Sequence, residues 1–590
     1  MGVNRLGRDS VARHCPPMPR LPAVPSDRTA MRNPAPSGSQ RRPAAPWVRA
    51  LLLALLALPA VSDPLPGRGA LASAADEPAR FARERPVVQH ELAAVLPFDL
   101  SADGRQELVV LEVERSPSRD VAYTLRVLHQ DEAGFVPLPG ATVALPRDVT
   151  LAGVGTFRGG PGLALLLPGE LAVWPWREGR FAPEAAARLA VDSLFPVPGG
   201  ELKQGLTWLA DLDGDGVDEL LVPRFDGVAV IAQGADGQLR QRALLRIRPA
   251  ALLLDWFRRN LLAYEVPTLA VQPADGHGWQ DVVLFMDSQL WVFLLDDALD
   301  GGERAPAFVL DLQPPKPFDP KLPRDPPMRL VSAQDLNGDG HFDLIVSKNA
   351  PSDSQFNSRT HVLVYYGRAG TGGAPIGFPA EPDQVHFTEG FSVPLVLDVN
   401  GDGRKDLVLV NVEIGFWNVI KALISRSVNA QAAFYLMPPE GRLPRDPQRL
   451  QTYEVTFSLG RFSHQPIADF GDLNGDGLPD LLLSENKETV GIHWGQPGGV
   501  WASAPDARLK DDIPLAGARV RVGDLDGDGR DDLLFVYNRD DIRQMPEANH
   551  TFTVLRSRYG APRTVRPAGT AGTAGTAGTA ATGRTPAARP

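Results

Sequence analysis

Five nine-residue stretches of this chain set oxygen-bearing side chains at a fixed spacing. They are Asp211, Asp213 and Asp215 closing on Glu219; Asp335, Asn337 and Asp339 closing on Asp343; and Asp398, Asn400 and Asp402 closing on Asp406. Asp472, Asn474 and Asp476 closing on Asp480, then Asp524, Asp526 and Asp528 closing on Asp532, complete the set. A sixth stretch, Asp99 and Asp103 closing on Glu107, has Ser101 in third place. Oxygens at positions 1, 3 and 5 can converge on one hard cation, glycine at position 6 permits the sharp turn, and the carbonyl of position 7 can add a ligand. Calcium suits such a loop better than magnesium because it accepts many oxygens in flexible geometry. Without a cation, the clustered carboxylates would repel one another. The expected cofactor is therefore structural Ca2+, at five or six sites.

The residues after each loop say which elements must hold it. An EF-hand needs a bidentate Glu at position 12 and flanking helices. Here position 12 is Val222, Val346, Leu409, Leu483 or Phe535, all apolar. Each lies in a run such as Asp343-Leu-Ile-Val-Ser or Asp406-Leu-Val-Leu-Val, which reads as a strand. EF-hand and dockerin arrangements fail on that count, and the fourth carboxylate falls at position 9 as the chain enters a strand.

The Asp-x-Asp/Asn-x-Asp-Gly-x-x-Asp-Leu loops resemble the FG-GAP (VCBS-type) repeats of integrin-α-like β-propellers, and Phe470-Gly471 before Asp472 repeats that family's Phe-Gly pair. The resemblance spans roughly residues 85–560 and implies a propeller with calcium in its inter-strand loops. It implies little about function, because the family includes adhesion proteins, lectins and some enzymes.

The loop starts at 99, 211, 335, 398, 472 and 524 lie 112, 124, 63, 74 and 52 residues apart. The first two intervals are double, so eroded units are expected near 155 and 273. Val154-Gly-Thr156-Phe-Arg158-Gly159 leads into Leu163-Ala-Leu-Leu-Leu with every acid lost, and Asp275-Gly276 leads to Asp281-Val-Val-Leu two residues late. Units of about 60 residues with short strands predict an all-β propeller of seven or eight four-stranded blades, eight favoured. Seven would follow if the first and last units shared one blade, closing the ring through terminal strands and removing exposed edges. Phe416, Trp417, Ile420, Leu423 and Ile424, within an expansion over 412–452, recur at helical spacing. Residues 251–264 show a similar pattern in Leu253, Trp256, Phe257, Leu261 and Tyr264. Both are expected to be helices covering a blade edge or forming a ridge on one face. The Pro-rich run 311–327 reads as a rigid surface connection.

The ends read differently. Arg41, Arg42 and Arg49 precede the apolar stretch Ala50–Leu58, which is too short to span a bilayer and fits an export signal. Small residues at 60–62 and 72–74 put cleavage between 62 and 75, with Met31 an alternative start. Residues 1–74 are therefore an N-terminal extension and signal, 81–566 the propeller, and 567–590 a disordered Ala/Gly/Thr-rich tail unable to bury a core. No lipobox cysteine follows the apolar run. Cys15 is the single cysteine, so disulfides cannot staple the mature chain and calcium is the substitute. The expected location is periplasmic or extracellular, with no transmembrane segment after signal removal. Together with the Ala/Arg/Pro/Gly-heavy composition, this points to an exported bacterial protein.

The formal net charge is −11, and the nine Arg against two Asp in residues 1–50 leave −18 for the rest. An acidic body argues against nucleic acid, which wants a basic stripe. There is no Gly-x-Ser-x-Gly, His-Glu-x-x-His, P-loop or dinucleotide fingerprint. The histidines (His277, His341, His361, His386, His464, His493 and His550 among them) stand apart, none at metal-ligand spacing. Five equivalent acidic loops make five equivalent staples, whereas an enzyme needs one asymmetric site. Trp174, Trp176, Trp417, Tyr435 and Trp494 are candidates for stacking on sugar rings, with inter-blade contacts the favoured alternative. Val362–Gly367 and Gly491–Gly495 read as outer strands ending in turns. The expected function is a non-catalytic binding scaffold for a protein, envelope or carbohydrate ligand on one face; the alternative is a polysaccharide-active, lyase-like enzyme on the same propeller.

Overall fold

The computed structural model describes residues 77–560 apart from 79, 116–120, 132–133, 196–205, 249–250, 257–258, 273–278, 287, 297–298, 300, 313–327, 351–358, 371–375, 390, 413–426, 457–466, 487, 516–518 and 538. Residues 1–76, with the expected signal and Cys15, most of the Pro-rich run, His277, His464, Asp275-Gly276, the helical pattern at 416–424 and the Ala/Gly/Thr tail lie outside the described residues.

Eight sheets follow one another along the chain, most of four antiparallel strands, two of them with a short parallel strand added at the edge. Blade 1 covers 91–145, blade 2 covers 151–190, blade 3 covers 209–246 and blade 4 covers 268–311. Blade 5 covers 329–389, blade 6 covers 391–456, blade 7 covers 468–510 and blade 8 covers 520–557. Each runs from an innermost first strand outward, the order expected of a propeller. The eroded units become blades 2 and 4. Blade 2 replaces the nine-residue loop by a tight turn between Leu151–Phe157 and Gly160–Leu167.

Apolar residues fill eight clusters, each lying between two neighbouring blades. This explains the unbroken apolar run after each loop. Side chains alternate across a strand, and a second strand is covered on both faces. Leu482 packs toward blade 8 with Leu533 and Phe535, while Leu481 and Leu483 pack toward blade 6 with Val408 and Phe434.

Three expectations are corrected. Blade 8 supplies only three strands of its own, and Phe81–Glu84 pairs with Thr553–Ser557 as the fourth. Terminal sharing thus closes a ring of eight blades, not seven, because the loop-based count never included the strand before the first loop. Residues 251–264 form a two-stranded hairpin, Ala251–Trp256 with Arg259–Tyr264, and not a helix. Six-residue runs that are apolar at nearly every position satisfy a helical period and a strand equally well, so period alone could not decide. In the expansion over 412–452, Ser427–Tyr435 is a strand, and Arg449–Thr456 follows as the outer strand of its blade. Arg359–Tyr365 and Thr489–His493 are third strands, each covered by a further one, Gln384–Glu389 and Ala507–Lys510.

Candidate metal centre

All six acidic loops join the first strand of a blade to the second. Strand directions alternate identically in each blade, so topology puts all six on one face of the disc. Their backbones match closely. Position 6 is left-handed throughout, at Gly104, Gly216, Gly340, Gly403, Gly477 and Gly529 with φ of 81–89°. Position 4 is left-handed too, and is glycine except at Ala102, which takes φ 56°. This curls the loop around the position 1 carboxylate. Asp472 Oδ1 accepts the N–H of Asp476 at 2.9 Å, and its Oδ2 accepts that of Gly477 at 2.7 Å. Asp211, Asp335, Asp398 and Asp524 each accept the position 4 and position 6 N–H groups. Asp99 accepts those of Asp103 and Gly104.

The position 9 carboxylates are buried within the sheets. One oxygen of each accepts the N–H of position 2: Glu107 from Leu100, Glu219 from Leu212, Asp343 from Leu336, Asp406 from Val399, Asp480 from Leu473 and Asp532 from Leu525. In four of them the second oxygen takes an N–H at or just past the end of the third strand, from Gly367, Met437, Gly495 or Ser557. Position 9 therefore clamps its loop to its sheet, a role its spacing did not disclose. Asp281 in blade 4 keeps part of this, accepting the N–H of Leu295 at 2.9 Å.

Burial, reinforced by the loop's other acids, pushes these carboxyls up against the lowering effect of their hydrogen bonds. Glu219 and Asp532 rise to about 8, and Asp343, Asp406 and Asp480 to about 7. Burial also raises Asp213, with Asp215 and Asp211 adding to the shift, and raises Asp472 and Asp524. Desolvated like charges held together favour either a proton or a cation.

Two loops bring three carboxylates together, with one oxygen from each within 4.8 Å of the others: Asp211, Asp213 and Asp215, and Asp524, Asp526 and Asp532. In the second of these, Asp532 rather than Asp528 joins the group. Asp528 is paired with Arg530, the residue at position 7, and Arg558 lies 3.2 Å from Asp526. Arg404, also position 7, sits 2.6 Å from Asp402, and Arg158 of blade 2 reaches Asp215 at 2.6 Å. In the loops of blades 5, 6 and 7, position 3 is Asn, and Asn337 and Asn400 each donate to the position 5 carboxylate at 3.1 Å. In blade 7, Asn474 Oδ1 accepts the N–H of Asp476 at 2.8 Å. In the first loop Asp103 Oδ1 accepts the N–H of Arg105, and Ser101 donates to Glu107 at 3.1 Å.

Phe470-Gly471 has a packing role. Phe470 stacks on Trp501 at 5.2 Å, and a Cβ on Gly471 would stand 2.3 Å from Val522 Cγ1 and 2.8 Å from Asp531 Oδ2 of blade 8. The glycine is what lets the next blade approach.

These chain segments match a known family. Residues 331–409 and 472–535 match the FG-GAP-like repeat family. No curated protein matches the chain. Among solved structures, it is similar to the Tc holotoxin pore of Photorhabdus luminescens at 14% identity, covering 76% of this chain and 17% of that one, with a TM-score of 0.28. The WD40 domain of SCAP from fission yeast is similar at 11% identity, with 70% and 95% covered and a TM-score of 0.24. BBS1N, solved in complex with ARL6DN, is similar at 10% identity, with 80% and 94% covered and a TM-score of 0.29. This chain thus spans about a sixth of the length of the holotoxin chain.

On the opposite face, the far ends of the inner strands enclose a cavity of about 340 Å³, lined by Leu151, Thr207, Trp208, Pro223, Thr268 and Ser332 among others. The aromatics singled out for sugar stacking are mostly occupied elsewhere. Trp174 and Tyr435 are buried between blades, Trp176 meets Phe181 edge-on at 4.9 Å and Trp494 meets Tyr559 at 4.7 Å. Trp417 lies outside the described residues. His386 and His493 are buried beside Tyr435 and Tyr453, and His361 lies against Phe387. No helix among the described residues is long and apolar enough to cross a membrane.

Proposed function

We propose that this chain is an exported, calcium-stabilised β-propeller that serves as a non-catalytic binding scaffold, presenting a face of the disc to a protein, envelope or glycan ligand. The observation that supports the reading most is the equivalence of the loops: six copies of one curled backbone on one face, two of them gathering three carboxylate oxygens within 4.8 Å. Asp211, Asp213 and Asp215 are the first-choice ligands in blade 3, and Asp524, Asp526 and Asp532 in blade 8. The Asn-bearing loops of blades 5, 6 and 7, together with the Ser101 loop of blade 1, supply oxygens of the same kind with fewer charges, so their affinity is lower. A cation there supplies positive charge to desolvated carboxylates; the chain itself supplies the curled backbone and the buried clamp that hold the oxygens in place.

Thermal melting of the mature chain in EGTA and in excess calcium tests this. A site filled at a hundred times its Kd adds about 2.7 kcal/mol, so several sites give a clear upward shift. Asp211→Asn with Asp213→Asn should remove part of it. An identical midpoint in EGTA and calcium would overturn the metal assignment.

A further inference from the structure

The cavity on the face opposite the acidic loops takes no part in holding cations. Its volume is about 340 Å³, within the range that small ligands fill. Its wall comes from four consecutive blades, from Leu151 in blade 2 to Ala333 in blade 5. None of the described residues in that wall is charged, in a chain where 22% of residues are. Arg224, next to the lining residue Pro223, is bound to Asp226 and Gln241. A charged ligand would lose its water there and gain no counter-charge. The ligand that fits is uncharged.

The wall does offer hydrogen bonds. Trp208 lines it at 5% exposure, and its indole N–H bonds to none of the described residues. An indole can only donate, so its partner must bring an acceptor oxygen. Gly153 of blade 2 gives the ring edge room, since a Cβ there would stand 3.0 Å from Nε1. Thr207 and Thr268 are exposed in the same wall, and the Ser332 hydroxyl, which accepts from Gln334 at 2.7 Å, keeps its own proton to donate. The strands Thr268–Gln272 and Arg329–Gln334 are each hydrogen-bonded along one edge only. Along the other edge, the main-chain groups of 268–270 and 330–333 bond to no described group outside their own sheets. Val331 sits in a bulge with no residue opposite it, a device that interrupts pairing and re-aims a strand beside a site. An edge of alternating N–H and C=O groups with aliphatic side chains between them matches an extended peptide. A sugar would want an open aromatic face, and the single ring among the described lining residues, Trp208, is buried. We propose that the cavity binds an uncharged, extended stretch of another protein, with a carbonyl oxygen on the Trp208 N–H and its backbone along the open edges of blades 4 and 5. This rests on the reading of the propeller as a binding scaffold and names the ligand class as peptide.

The test is saturation-transfer NMR of the full chain with a pool of acetylated, amidated tetrapeptides of Val, Leu, Ser and Thr. Calorimetric titration then measures the strongest member, with maltotriose as a neutral sugar for comparison. The blocked peptide should bind, the same peptide with free charged termini should bind at least about tenfold more weakly, and maltotriose should not bind. Trp208→Phe removes one donor and should raise Kd about 3- to 10-fold. Thr268→Trp fills the cavity from an exposed position, so it should abolish binding and leave the melting midpoint unchanged. Failure of every blocked peptide to bind, or binding that survives Thr268→Trp, would overturn the inference. Maltotriose bound in place of the peptide would overturn it too, while leaving the scaffold reading intact; cleavage of the bound probe would instead overturn that reading.

Discussion

Replacing Asp480 by alanine separates the two roles a buried position 9 carboxylate could have. Asp480 is fully buried and accepts the N–H groups of Leu473 at 2.9 Å and Gly495 at 2.8 Å. Asp480→Ala leaves both donors facing an apolar void. Each unpaired buried N–H costs about 1–3 kcal/mol. Against this stands the relief of removing a desolvated carboxyl, raised to about 7 by burial and by Asp476 and Asp472. The net loss is about 3 kcal/mol. At roughly 2.1 cal/mol/K per residue over roughly 390 described residues, that lowers the midpoint by about 4 °C. Asp480→Asn keeps one acceptor oxygen and should lose less than half as much. The assay is calorimetric melting of both variants in EGTA and in calcium. A clamp predicts the same loss in both buffers. If Asp480→Ala melts like wild type in EGTA and loses only the calcium-dependent part, Asp480 is a metal ligand and the clamp argument fails.

Gly471→Ala should destabilise by about 1–3 kcal/mol, because its Cβ would overlap Val522 and displace the Asp531 carboxylate that holds the N–H of Asp472 at 2.7 Å; urea titration would read it, and an unchanged midpoint would refute the close approach. Ala102→Gly should stabilise by about 1 kcal/mol or less, since Ala102 takes φ 56° where the other loops have glycine. A lower midpoint for that variant would mean that the first loop is built differently. In EGTA the melting midpoint should fall from about pH 5 to about pH 8. The folded carboxyls at Asp343, Asp406, Asp480, Glu219 and Asp532 are raised to about 7 or 8, so the folded state binds more protons across that window and loses this contribution as pH rises through those values. His493, lowered chiefly by burial, works in the opposite direction, removing stability as pH falls below its unfolded value. A midpoint that climbs steadily from pH 5 to pH 8 in EGTA would contradict the burial of the five acids.

Much of this architecture could be read from residue spacing, and the failures have physical causes. The acidic loops mark the first turn of six blades, and doubled intervals located the other two even though Val154–Gly159 retains no acid. The Leu481–Leu483 run signalled a strand buried on both faces. Closure by Phe81–Glu84 was invisible, because four residues of mixed polarity carry no period and their partner lies more than 450 residues away. The hairpin was misread because leucine-rich six-mers satisfy both periods. At the loops, spacing identified which residues are acidic but not which way they face. It could not show that Asp480 turns inward to main-chain donors, or that Arg530 and Arg404 fold back on the acids two residues before them.

A main-chain feature without a sequence signature explains why blades that lost their acids still keep their places. The N–H before position 9 reaches the loop or turn of the preceding blade: Gln106 donates to Leu525 O across the ring closure, Gln280 to Leu212 O and Lys405 to Leu336 O. In each case the accepting residue is position 2, whose own N–H is held by its position 9 carboxylate. One residue is thus fixed from both sides, its N–H inward by its own buried acid and its carbonyl sideways by the next blade. Asp218 makes the same link to Thr156 O of blade 2, whose first turn has lost the acids, at 2.8 Å, and its carboxylate takes the N–H of Thr156 at 2.7 Å. Asp531 repeats that two-way bond with Asp472. The link needs only a peptide at the correct height, so a blade can lose its carboxylates and keep its neighbour. A cation that orders one loop would also hold the acceptor used by the next blade, and a belt linked in this way transmits loop order around the face. Removing the clamp at Asp480 should therefore increase hydrogen exchange at Asp531 of blade 8 as well as at Leu473, while Leu344 in blade 5 stays protected. Exchange that rises in blade 7 alone would show that the blades stand independently, held by their apolar faces and not by the belt.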